Sequence, residues 1–176
     1  MRAYLLIAVL ALSGRALLGQ SAEPTPCAPG QIMDHACILQ LARGAGALEV
    51  PPLASIGPLG KNPDGSEIVL EDSTVVEVWV TESPVTGALA SSGSGIDSLW
   101  HADTAIAGRT AELMTAKVRP RHAGAWHYFG TASVTVDGEH AINMMVWADT
   151  PSSRDAVLRW LLGRLRIPGA ARPTGG

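Results

Sequence analysis

Five histidines, two cysteines and a short serine-rich stretch carry the side chains with which this chain could ligate a metal, cross-link or attack a carbonyl. The histidines are His35, His101, His122, His127 and His140. Only His122 and His127 are near one another in sequence, so a metal centre with ligands at about 2 Å would need the fold to bring in His101 and Asp103. No tight helical histidine pair or dense Cys/His cluster occurs. The expectation is therefore no metal and no other cofactor, with His101, His122 and His127 the residues to follow. Ser91, Ser92 and Ser94 lie among glycines, but Gly93-Ser94-Gly95 lacks the Gly-x-Ser-x-Gly spacing that sets a nucleophile on a strained strand-to-helix turn. Glu71-Asp72 falls in an expected turn, where both carboxylates meet water. No catalytic residue is assigned on these grounds, and a metal-dependent or serine hydrolase with an unrecognised site is the alternative reading.

The cysteines point elsewhere. Arg2 precedes the apolar run Leu5 to Leu12, and small residues follow up to Ala22, which is the pattern of an export signal removed on secretion. Arg15 interrupts the run well before the roughly 20 apolar residues that a membrane-spanning helix needs. Residues 1–22 are thus expected to be a signal peptide, and the mature chain to be periplasmic or extracellular, without a transmembrane anchor. In an oxidising compartment Cys27 and Cys37 should form a disulfide, worth about 3 kcal/mol for so short a loop in the chain-entropy model.

The formal net charge of −3 hides an uneven distribution. Between Glu23 and Gly108 the only basic residues are Arg43 and Lys61, whereas Arg109, Lys117, Arg119, Arg121, Arg154, Arg159, Arg164, Arg166 and Arg172 follow. Because the basic residues form no dense run, the expectation is that the acidic half folds against the basic half. Location and composition both argue against nucleic acid as a partner. An unknown protein or envelope component is the expected one.

Elements follow from periodicity. Residues 23–37 are rich in proline and small residues and read as an extended arm held by the cysteine loop. Residues 38–168 read as one domain, and 169–176 as a flexible tail. Ile38 to Leu41 is a short strand. From Gly44 to Gly60, glycine and proline punctuate too often for a long element. Asn62-Pro63-Asp64-Gly65 reads as the turn of a hairpin. Strands are expected at Ser66 to Leu70, Thr74 to Thr81, Thr110 to Val118, Ala125 to Val136 and His140 to Ala148, with a mobile loop over residues 83–95. A helix opening near Ser152, with Val157, Leu158, Leu161, Leu162 and Leu165 at helical spacing, ends before Pro168. The expected fold is α+β: an antiparallel sheet of about five strands with the C-terminal amphipathic helix packed on one face.

The last hairpin sorts its residues by face. A three-residue turn at Val136-Asp137-Gly138 puts Tyr128, Ala132, Val134, Ile142, Met144 and Val146 on one apolar face. His127, Phe129, Met145 and Trp147 share the other. Those four are the candidate binding residues, since aromatics beside polar groups are common anchors of an interface.

Strands in succession, the hairpin from Trp126 to Trp147 and a helix ending in Arg164-Leu165-Arg166 resemble the C-terminal half of PsbP-like α+β domains. The resemblance covers about a third of the chain. It implies an exported accessory or binding protein rather than an enzyme.

Overall fold

The computed structural model describes residues 25–82, 95–119 and 126–169. The signal segment 1–22, most of the 83–95 loop and the tail beyond Gly169 lie outside the described residues. In chain order the strands are β1 (Cys37–Gln40), β2 (Ala47–Val50), β3 (Ser55–Leu59), β4 (Asn62–Val69), β5 (Val75–Thr81), β6 (Gly95–Ile106), β7 (Arg109–Arg119), β8 (His127–Thr135) and β9 (Ala141–Ala148). Helix α1 (Pro151–Arg164) and the two-residue β10 (Leu165–Arg166) complete the described chain.

Strand accounts for 56% of the described residues, more than twice the usual share, so the expected α+β fold with a sheet of about five strands is incorrect. The protein is mainly β. Seven strands form one antiparallel sheet in the order β3-β4-β5-β9-β8-β7-β6, and a second sheet has the order β1-β2-β10. Two features of the chain account for the difference. The glycine- and proline-rich stretch before Asn62 holds β2 and β3, since proline is tolerated on an edge strand such as β3. Residues 95–106 (GIDSLWHADTAI), which show no alternation, form β6, with a register shift between Asp97 and Trp100 and Ser98 at φ +56°. Such a bulge interrupts an edge against which another chain would otherwise pair.

The second layer lies on one face of the large sheet. Val157, Leu158 and Leu161 of α1 are buried together with Val76, Val78, Ile142, Met144 and Val146 of the sheet and with Leu48 and Val50 of β2. Gly130 lets the helix approach: a Cβ there would stand 2.6 Å from Leu158 Cδ1. The helix opens at Pro151, one residue before Ser152, with Thr150 as its cap: the Thr150 hydroxyl accepts the Ser153 N–H and Pro151 occupies the first turn. It ends at Arg164 as the chain turns extended to pair Leu165 with Leu48.

Two local details differ from expectation. The β3–β4 hairpin turns at Gly60-Lys61, and Asn62 to Gly65 becomes an irregular start to β4, where the Asn62 side chain accepts the Asp64 N–H. The β8–β9 hairpin pairs Val134 with Ile142, two residues off the expected register, because the Asp137 carboxylate accepts the N–H groups of both Glu139 and His140 and lengthens the turn. A shift of two leaves every side chain on its expected face.

Pairing between the acidic and basic halves is seen at Glu49, whereas Arg43 pairs within the acidic half. Arg164 and Arg166 both reach Glu49, the latter at 3.3 Å, and Arg43 holds Asp64 at 2.8 Å and Glu82 at 3.5 Å. The Cys27–Cys37 disulfide ties the arm to β1, alongside a parallel bridge between Pro26 and Ile38. No helix among the described residues is long and apolar enough to cross a membrane.

Candidate functional site

Side chains alternate across a strand, so the register fixes what the second face of the large sheet presents. Reading across the strands, one row runs Glu67, Glu77, Met145, Thr131, Met114 and His101. A neighbouring row runs Trp79, Asn143, Ser133, Glu112 and Asp103, and the row on the other side holds Val75, Trp147, Phe129 and Ala116. Among the described residues every second-layer element packs on the opposite face.

The candidates His127, Phe129, Met145 and Trp147 do share this face, but they differ in what they offer. Phe129 is fully buried: its ring centroid lies 4.7 Å from that of Trp147 in an edge-to-face arrangement, and Ala116 sits on its other flank. It is a core residue of the face rather than a contact. Met145 and Trp147 remain half-buried and, with Met114, pack around it. His127 lies at the end of β8, its Nδ1 3.5 Å from Asp149. Two further residues belong with Met145 and Trp147 and escaped sequence reasoning, namely Trp79 of β5 and Met114 of β7, both half-buried. Only the pairing of β5 with β9 and of β7 with β8 brings them there.

Polar groups at the centre of the face are satisfied internally. The Ser133 hydroxyl donates to Asn143 Oδ1 at 2.7 Å, and Asn143 Nδ2 donates to the Thr81 hydroxyl at 2.8 Å. Trp79, Met114, Met145 and this pair line a depression of about 10 Å³, which is at most the room for one water. The face is a surface, without a pocket for a small molecule at that point.

Its charge is one-sided. Glu67 and Glu77 stand directly opposite each other on β4 and β5, as do Asp103 and Glu112 on β6 and β7. The register puts no lysine or arginine on this face among the described residues. Burial, and then the Glu67 carboxylate facing it, push the Glu77 carboxyl above its ordinary range.

The histidines are dispersed. His101 Nε2 is 3.9 Å from Asp103 on β6, whereas His127 is on β8 with β7 between them, and His122 lies outside the described residues. Among the described residues no group of three His, Cys, Asp or Glu side chains is placed to hold a metal ion. Ser91, Ser92 and Ser94 also lie outside the described residues.

No family model matches the chain, and no curated protein does. Among solved structures it is similar to a Pseudomonas aeruginosa protein of unknown function described as a putative regulator, at 16% identity and a TM-score of 0.37, over 80% of this chain and 99% of that one.

Proposed function

We propose that this protein is an exported accessory protein that binds a partner polypeptide on the second face of its seven-stranded sheet. The observation that carries the reading is the group Trp79, Met114, Met145 and Trp147, large apolar side chains left half-buried on a face that no described element covers. Tryptophan and methionine are enriched at interfaces, because one supplies rigid apolar area and the other adapts its shape. The N-terminal signal pattern and the Cys27–Cys37 disulfide support an oxidising location outside the cytoplasm. The PsbP-like resemblance of the C-terminal part points to the same accessory role.

Magnitudes limit what the apolar contact achieves. At most about a third of each of these side chains is exposed, roughly 300 Å² together at most, which at about 25 cal/mol per Å² is a gross gain of at most about 7 kcal/mol. Association costs about 4 kcal/mol at the very least, so apolar burial alone gives weak binding. The rest must come from elsewhere on the face.

A photo-cross-linking residue placed at position 145, and separately at Trp160 on the helix side, tests the reading in the producing cell. The expected result is a discrete cross-linked species from position 145 that disappears in the Trp79→Ser background, and none from position 160. Equal patterns from both positions, or none from 145, would overturn it. N-terminal sequencing of the mature protein is expected to begin just after Ala22, and retention of Met1 would defeat the export half of the proposal.

A further inference from the structure

The carboxylates of the second face are paired differently from Glu49 and Asp64. Glu49 and Asp64 are neutralised by arginines brought from distant parts of the chain. Glu67 with Glu77 and Asp103 with Glu112 instead pair like with like, in directly opposed cross-strand positions that cost stability. Among the described residues no lysine or arginine shares their face, and the one histidine near them, His101, lies 3.9 Å from Asp103 at the β6 edge. A sheet that keeps two such pairs flanking an apolar centre is complementary in charge to a cation, and repels the anionic surfaces of lipid headgroups.

The dimensions select the kind of cation. Glu77 on β5 and Glu112 on β7 are three strand spacings apart, about 14 Å at the usual separation. Between them lie β9 and β8, which contribute Met145, Trp147 and Thr131. A helix with its side chains is about 10–12 Å across, so one helix lying along β8 and β9 fills that width. Its lower side then meets the apolar centre, and basic side chains on its two flanks reach the carboxylates, their methylene stems lying over Trp79 and Met114.

We infer that the occupant of this face is a cationic amphipathic helix of a partner protein, seated on Trp79, Met145 and Trp147 and held by Glu77 on one flank and Glu112 on the other. This rests on the binding reading above and adds to it the chemistry of the partner.

The test is calorimetric titration of the mature, disulfide-intact protein with two synthetic 18-residue amphipathic helical peptides, one of leucine and lysine and the other with every lysine replaced by glutamine. The lysine peptide is expected to bind, and to bind about tenfold more weakly when salt is raised from about 0.05 to 0.5 M, because screening shortens the reach of the carboxylates. The double variant Glu77→Gln, Glu112→Gln should weaken it by a similar factor and leave the glutamine peptide unaffected. Glu71→Gln, a carboxylate of the β4–β5 turn away from the face, should change nothing. Two results separate the levels of the argument. If both peptides bind equally well and both are lost in Trp79→Ser or Met145→Ser, the inferred charge preference is wrong and the docking face stands. If neither peptide binds, or if binding survives both substitutions in proteins that melt as the parent does, both fall. A loss on Glu71→Gln equal to that of the double variant, or tighter binding to vesicles of anionic phospholipid than to the lysine peptide, likewise overturns the inference.

Discussion

Replacing Gly130 with valine tests how closely the helix sits on the sheet, because two opposing effects can be weighed. Gly130 is in the interior of β8, where valine has the better strand preference by up to about 1 kcal/mol. Against that, even a single Cβ would lie 2.6 Å from Leu158 Cδ1, 3.2 Å from Arg154 Cγ and 3.3 Å from Arg154 Cδ. The first distance is shorter than any real contact, and Leu158 is buried, with little room to retreat. Overpacking of a filled core costs about 1–3 kcal/mol, and the branched side chain puts the expected cost near the top of that range. The net loss is about 2 kcal/mol, or a Tm lower by roughly 4–8 °C for a domain of this size. In urea the midpoint should fall with the slope unchanged, since the same surface is exposed on unfolding. Leu158→Ala, which alone should cost about 2–5 kcal/mol, should cost at least about 1 kcal/mol less in the valine background, because it removes the atoms that collide. A Gly130→Val protein as stable as the parent, or an undiminished cost of Leu158→Ala, would refute the close seating of the helix.

Leu161, fully buried under the sheet, should lose about 2–5 kcal/mol on substitution by alanine in the same urea assay, whereas exposed Arg159 two positions earlier should stay within about 0.5 kcal/mol. Reduction of Cys27–Cys37, followed by alkylation, should remove about 3 kcal/mol, read as a lower thermal midpoint, and an unchanged midpoint would show that the arm adds nothing. Glu77 gives a pH signature: its carboxyl titrates above the ordinary range in the folded state, so the native protein holds the proton longer and stability falls as pH rises through that range. Glu77→Gln should accordingly stabilise by about 0.2–1 kcal/mol at neutral pH and by nothing below about pH 4, and a gain that persists in acid would exclude the charge explanation. Asp137 has the opposite sign, since N–H groups of Glu139 and His140 lower its pKa; Asp137→Ala should cost more at pH 7 than at pH 3, with Asp137→Asn keeping part of the turn.

What the sequence makes legible here is local. The Val75 to Thr81 run declares itself by β-branched alternation, and the helix by leucines at helical spacing followed by arginine and proline. The faces of the β8–β9 hairpin are legible too, since they depend on a period of two and survive a register error of two. The missing strands fail for specific reasons. β3 carries Pro58, and β6 breaks its own alternation at the bulge around Ser98. The site was half visible for the same cause. Met145 and Trp147 come from one hairpin, but Trp79 joins them through a pairing across more than sixty residues of chain, from Trp79 to Asn143, which no local pattern encodes. Phe129 lies on its expected face but is buried there, because its environment includes Ala116 from a neighbouring strand, which no local pattern shows.

The small sheet has a bearing on how the molecule comes together. Its middle strand, β2, is bordered on one side by β1, a few residues before it, and on the other by Leu165 and Arg166 from the far end of the described chain. Glu49 on that strand then grips both Arg164 and Arg166. Closure over such a span is slow relative to hairpin formation, so the β1–β2 hairpin keeps a bare edge until Leu165 and Arg166 have been made and folded back. Arg164 and Arg166 act as a clasp, and a ribosome or a translocating channel that delayed them would leave the protein open at β2.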